Sequence, residues 1–141
     1  MRVSILYRIS SVLILLFAIG HTLGFRQTDP SWGVDQTLAA LKQTMFLING
    51  FHRTYYGFYV GSGLFVTVFM LFTVVVTWQL GRLPAATLAQ LPWLTWGLAL
   101  SYGGALVISL RYFFMVQVIF SAAIFLCLAT AAVAVAARRQ S

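Results

Sequence analysis

From residue 57 to residue 78 the chain carries no ionisable side chain except the neutral phenol of Tyr59. A helix needs roughly 20 predominantly apolar residues to cross the hydrocarbon of a bilayer. In lipid no water serves the backbone N–H and C=O groups, so such a run must close its hydrogen bonds internally as a helix. Residues 64–76 are bulky and often β-branched. They are modest helix formers in water but suit a helix in lipid.

The rest of the chain follows the same logic. We expect four spans, at residues 3–25, 54–80, 92–110 and 113–137. The uncharged part of the first is short, so residues 3–7 extend it and Arg8 snorkels toward the near interface. Arg2 and Arg8 ahead of an apolar stretch, with Ala18-Ile19-Gly20 after it, have the look of a secretory signal. We read this segment as the first span. Only 8% of residues are charged and 61% are hydrophobic, whereas soluble domains carry about 25% charged residues. A water-facing surface is therefore excluded. The expected fold is all-α: one integral membrane domain, residues 1–141, forming a four-helix up-down bundle.

Formal charge is +7, but the basic residues are single apart from Arg138-Arg139 and make no stripe for nucleic acid. They fall near predicted helix ends, where headgroups and topology favour them. Arg2, Arg8, Arg82, Arg138 and Arg139 share one side; Arg26, Lys42, Arg53 and Arg111 share the other. The slight excess places both termini in the cytoplasm. The lone Cys127 lies in an apolar run and forms no CxxC, so it reads as a packed thiol.

Residues 26–48 form the only long polar connection, and both carboxylates, Asp29 and Asp35, lie in it. Asp29-Pro30-Ser31 reads as a turn. Asp35 reads as an N-cap, after which Leu38, Leu41, Met45 and Ile48 recur at helical spacing. The pattern predicts a short amphipathic helix at the interface, anchored by Trp32. The alternative is an N-terminal extension of span two, broken at Asn49-Gly50. In the second connection Gly81 suits a helix C-cap and Pro84 blocks continuation, while Pro92 opens span three. Arg111-Tyr112 reads as a tight turn before span four.

Polar residues gather on the long-loop side. His21, Asn49, His52, Arg53, Tyr55, Tyr56 and Arg111 are the candidate ligand-binding residues, with Gln117 near them. One reading is a wet rim, since interfaces collect such residues. The other is a cavity for a lipid-like, quinone-like or other hydrophobic small ligand, because ionisable groups inside a span are costly. In the second reading Arg53 holds an anionic headgroup or pairs with Asp29 or Asp35. His21 and His52, the only histidines, also permit axial ligation of one haem b. Two stripes of small residues are candidate helix-packing faces: Gly57, Gly61 and Gly63 on span two, and Gly97, Ser101 and Ala105 on span three. They equally suit a structural subunit docking on a larger membrane complex or a second copy. A stand-alone enzyme has less support: there is no paired carboxylate, HExxH, GxSxG, P-loop or dinucleotide fingerprint. No catalytic or metal-binding residues are expected.

The elements Gly20-His21-Thr22-Leu23-Gly24-Phe25 and Tyr56-Gly57-Phe58-Tyr59-Val60-Gly61-Ser62-Gly63 resemble those of a family of small uncharacterised bacterial four-span membrane proteins. The resemblance spans nearly the whole chain and implies residence in a bacterial inner membrane among its lipids. It also implies an acidic residue just before the Tyr-x-Gly element, where this chain has Arg53-Thr54. More loosely, the architecture is similar to DoxX-like and EXPERA four-helix membrane proteins, without matched catalytic residues.

Overall fold

A computed structural model describes residues 3–139. Among them are six α-helices and one β-hairpin: α1 (Val3–Gly24), α2 (Asp35–Gln43), β1 (Met45–Ile48), β2 (Phe51–Thr54), α3 (Tyr55–Leu80), α4 (Ala85–Leu88), α5 (Pro92–Tyr112) and α6 (Met115–Arg139). Four of these, α1, α3, α5 and α6, are long and apolar enough to cross a membrane. Many of their large apolar side chains face outward, among them Phe65, Leu100, Val116 and Leu126. In water so much exposed hydrocarbon would be an aggregation surface. The chain is a multi-pass membrane protein.

Two compact units divide it. The larger comprises residues up to Phe17 and from Met70 onward. Its core is made by helical stripes. On α6, Ile124, Leu128, Ala131 and Val135 are buried, and on α1, Val3, Tyr7, Ser10 and Ile14 are buried. Both sets advance by three or four residues, the period that keeps a helix on one face. Two buried serine hydroxyls bond backbone carbonyls, Ser10 Oγ donating to Leu6 at 2.9 Å and Ser11 Oγ to Val74 at 2.9 Å, while the Tyr7 hydroxyl has no partner among the described residues. Phe17 and Phe120 stack at 5.4 Å.

Helices α5 and α6 form an antiparallel pair. Ser109 and Ser121 meet at 3.2 Å, and a Cβ on Gly103 would stand 3.2 Å from the Phe125 ring. As one strand of this pairing descends in number the other rises, which is the register of a helical hairpin. The turn is later than the sequence indicates. Arg111 and Tyr112 complete α5, and Phe113 leaves it with extended backbone (φ −124°, ψ −179°). Phe113 and Phe114 make the connection, and α6 starts at Met115. Pro92 does open α5, in its first turn.

Gly81 stands at the C-cap position of α3, its N–H donating to the Thr77 carbonyl at 3.0 Å. Its φ is not positive. The position is also tight: a Cβ there would lie 3.0 Å from Arg8 Cγ and 3.2 Å from the Ser4 carbonyl. The glycine permits close approach of α1. Beyond Pro84 the connection holds a further short helix, α4, whose Leu88 is fully buried.

The smaller unit runs from Ala18 to Phe69. It holds the end of α1, a single 3-10 turn at Pro30–Trp32, α2, the hairpin and the first part of α3. The expected amphipathic helix exists but is shorter, ending at Gln43, and Met45–Ile48 is a strand instead. Asn49 (φ 51°) and Gly50 (φ 83°) both occupy the left-handed region. That is the two-residue turn whose twist matches paired strands, and Asn-Gly favours it most. The apolar run on one side and Phe51-His52-Arg53-Thr54 on the other then pair, Met45 with Thr54 through Ile48 with Phe51. Nor is Asp35 the N-cap. Val34 holds that position without a side-chain bond, and Asp35 is the first helical residue, where its charge favours the helix dipole.

Candidate functional site

A two-stranded hairpin is barely stable alone. This one is seated on the helix that follows it. The Tyr55 N–H donates to the Thr44 carbonyl at 3.2 Å, and Phe46 packs on Tyr55 (5.0 Å) and edge-on to Phe58 (6.1 Å). Thr54 ends β2 and caps α3: its Oγ1 accepts the Gly57 N–H at 3.0 Å, satisfying a free donor of the first turn.

One helical turn deeper lies a knot of polar and aromatic groups. His21 Nε2 is 3.0 Å from the Gly63 carbonyl oxygen. A carbonyl only accepts, so Nε2 carries the proton, and in the neutral ring Nδ1 keeps its lone pair. Thr67 Oγ1 donates to the same carbonyl at 3.2 Å, and Thr22 and Thr67 hydroxyls meet at 3.0 Å. The His21 ring stacks on Phe25 (5.1 Å). Phe25 in turn makes a T-shaped contact with Tyr59 (5.9 Å), whose hydroxyl donates to the Phe25 carbonyl. Gly63 makes this possible, because a Cβ there would sit 2.7 Å from Phe25 Cδ2 and 2.8 Å from Cζ.

Three cations of the smaller unit each stand over a ring: Lys42 above Tyr56 (5.2 Å), Arg26 above Phe25 (5.4 Å) and Arg53 above Phe51 (5.5 Å). Such contacts hold a charge near apolar surface at modest cost. Arg53 also donates to the His52 carbonyl at 2.7 Å. The Asp29 side chain accepts the Ser31 N–H at 2.8 Å. Hydrogen bonding to Ser31, through its side chain and then its backbone, holds the Asp29 carboxyl below its ordinary range.

Of the residues singled out from sequence, His21, Asn49, His52, Arg53, Tyr55 and Tyr56 all belong to the smaller unit. Asn49 forms the hairpin turn, and His52 and Arg53 are exposed on β2. Arg111 belongs to the larger unit, exposed, with its guanidinium 5.8 Å above Tyr112. Gln117 is also there, and its Oε1 is buried without a partner among the described residues. To bind iron, His21 must offer Nδ1 or release Gly63. The small residues divide. Gly63 is crowded by Phe25 and Gly57 by Thr54 Oγ1 (3.1 Å), whereas nothing lies within 4 Å of a Cβ on Gly61 or Gly97. Ser101 Oγ donates to the Gly97 carbonyl at 2.8 Å, and Ala105 packs beside the core. Sequence reasoning missed Phe25, Tyr59, Thr22 and Thr67. Their signal is spacing: His21, Thr22 and Phe25 share one helical face, as do Tyr59, Gly63 and Thr67.

Comparison with protein-family models, curated proteins and solved structures finds no match for this chain.

Proposed function

We propose that this protein binds a lipid-like or hydrophobic small molecule at its long-loop end, from within a bacterial inner membrane. In this reading the four spans cross as an up-down bundle with both termini in the cytoplasm. Helix α2 and the hairpin lie in the opposite interface, with Trp32 as an anchor.

One observation carries the proposal: an ionisable ring inside an apolar helix, hydrogen-bonded to a backbone carbonyl at 3.0 Å rather than turned to water. Intramembrane ionisable groups default to a functional reading. Here the ring stacks on Phe25, which packs on Tyr59, and these aromatic surfaces suit a hydrophobic ligand. Lys42 and Arg53 supply positive charge toward the loop for an acidic headgroup. The test replaces His21 and Arg53 with alanine and follows bound lipid by native mass spectrometry. Loss of one co-purifying species supports the proposal. An identical bound set in wild type and both variants ends it.

A second reading is an accessory subunit of a larger membrane complex. It draws on Gly61 and Gly97, whose faces are open within 4 Å and would admit another helix closely. A partner that co-purifies and is lost on Gly97→Leu favours it.

A further inference from the structure

The larger unit carries a groove between α1 and α3, lined by Ser11, Val12, Leu15, Val74, Val75 and Trp78 and about 350 Å³ in volume. That volume lies within the range of small-molecule sites, about 300 to 1,000 Å³. Every lining residue belongs to this one unit. Val12, Val75 and Trp78 are about half exposed, so the groove opens on the outer surface of the two spans. Its Ser11 hydroxyl is already spent on the Val74 carbonyl at 2.9 Å. Apart from the Trp78 indole N–H, the remaining lining side chains are hydrocarbon. Such a wall offers little to a polar solute and suits an alkyl chain.

Charge stands at one end of it. On α1, Arg8 shares a face with Ser11, Val12 and Leu15, and on α3, Trp78 shares one with Val74 and Val75. The helices run antiparallel here: Ser11 bonds Val74, and one turn further the Arg8 guanidinium lies 5.9 Å from the centre of the Trp78 ring. Trp78 is thus both a wall of the groove and the seat of the cation. A cation–π contact engages the charge through the ring face and uses none of the guanidinium N–H donors. Residues 1–17 and 70–141 contain no aspartate or glutamate, so no side-chain carboxylate of this unit takes those donors. An arginine near a span end snorkels to headgroup level, where its planar fork matches phosphate oxygens. With no acidic side chain to receive a choline or ethanolamine cation, the unit favours a headgroup of net negative charge.

We propose that this groove binds an anionic phospholipid. One acyl chain lies along Val12, Leu15, Val74 and Val75, and Arg8, steadied by Trp78, holds the headgroup phosphate. The site shares no residue with the histidine knot and stands whether or not the knot binds a ligand.

Trp78 itself reports the test. The full chain carries Trp32→Phe, Trp93→Phe and Trp96→Phe, so that Trp78 is the one fluorophore of its kind. In neutral detergent at fixed ionic strength it is titrated with phosphatidylglycerol or phosphatidylcholine brominated on the acyl chains, which quench an indole on contact. Half-quenching should need about tenfold less phosphatidylglycerol, the size of a charged hydrogen bond, and inorganic phosphate at equal concentration should not relieve it. Arg8→Gln should erase the preference, whereas Arg138→Gln, the same charge change elsewhere in the unit, should keep it. Val75→Phe fills the groove without touching a charge and should weaken quenching by phosphatidylglycerol, which keeps the test open should Arg8→Gln fold poorly. Val116→Phe, at an exposed position of α6, should not. Equal half-quenching by the two lipids, relief by inorganic phosphate, a preference that survives Arg8→Gln or is lost equally in Arg138→Gln, or equal effects of Val75→Phe and Val116→Phe overturn the proposal.

Discussion

Adding one methyl group at Gly63 tests the histidine knot. In Gly63→Ala the new Cβ meets the Phe25 ring at 2.7 and 2.8 Å, well inside contact distance. The ring cannot swing away cheaply, because His21 stacks on it and Tyr59 packs against it at a steep angle. Overpacking of this kind costs about 1 to 3 kcal/mol. If the strain moves His21 off the Gly63 carbonyl, a hydrogen bond of about 0.5 to 1.5 kcal/mol goes with it. Replacing glycine by alanine inside a helix returns about 1 kcal/mol of propensity. The net expectation, with the hydrogen bond lost, is a loss of about 0.5 to 3.5 kcal/mol. Gly61→Ala supplies the control: it has the same propensity gain and no atom within 4 Å of its Cβ. Both variants are unfolded reversibly in mixed detergent–SDS micelles and followed by circular dichroism. Gly63→Ala should fall below wild type while Gly61→Ala equals or exceeds it. Equal stability of the two variants would refute the packing argument and, with it, the claim that Gly63 exists to admit Phe25.

Four further outcomes follow. Thr54→Ala removes the cap on α3 and should cost about 0.5 to 2 kcal/mol, read as faster amide exchange at Gly57; unchanged exchange rejects the cap. Gly50→Val forces a β-branched residue into φ 83° at about 1 to 3 kcal/mol, and should release protection of the 45–54 amides while the midpoint of the larger unit stays put. Ser109→Ala alone should destabilise more than Ser109→Ala with Ser121→Ala, since the single change strands one buried hydroxyl; equal values would deny the pairing. Asp29 is depressed by its bonds to Ser31, so its contribution is present above the unfolded carboxyl pKa and is lost as pH falls through the lower, folded value. The Ser31 amide resonance should report that loss at a lower pH than an unfolded peptide of the same loop, and Asp29→Ala should abolish the transition.

The spans were legible because burial in lipid leaves a coarse signature: long, charge-free runs whose limits lie within two residues of the observed helices. The hairpin was harder. Leu38, Leu41, Met45 and Ile48 fit a helical wheel, yet Met45-Phe46-Leu47-Ile48 is also a continuous apolar run, and periodicity cannot separate the two. Asn49-Gly50 should have decided it, because that dipeptide favours paired strands over a kinked helix. The knot was half visible. His21 stood out by charge. Its partner is a backbone carbonyl, which no residue type announces, and Phe25 and Tyr59 looked like two more aromatics at an interface. Gly63 reads as a helix-contact residue, and its crowding is with the ring of Phe25, just past the end of α1.

Thr54 closes β2 and caps α3, so strand and helix join without a spacer residue. Inserting one residue between Thr54 and Tyr55 would turn the hairpin by roughly 100° about the helix axis, aiming Phe46 away from Phe58. The direction in which the hairpin points is thus set by the same residue that starts the helix.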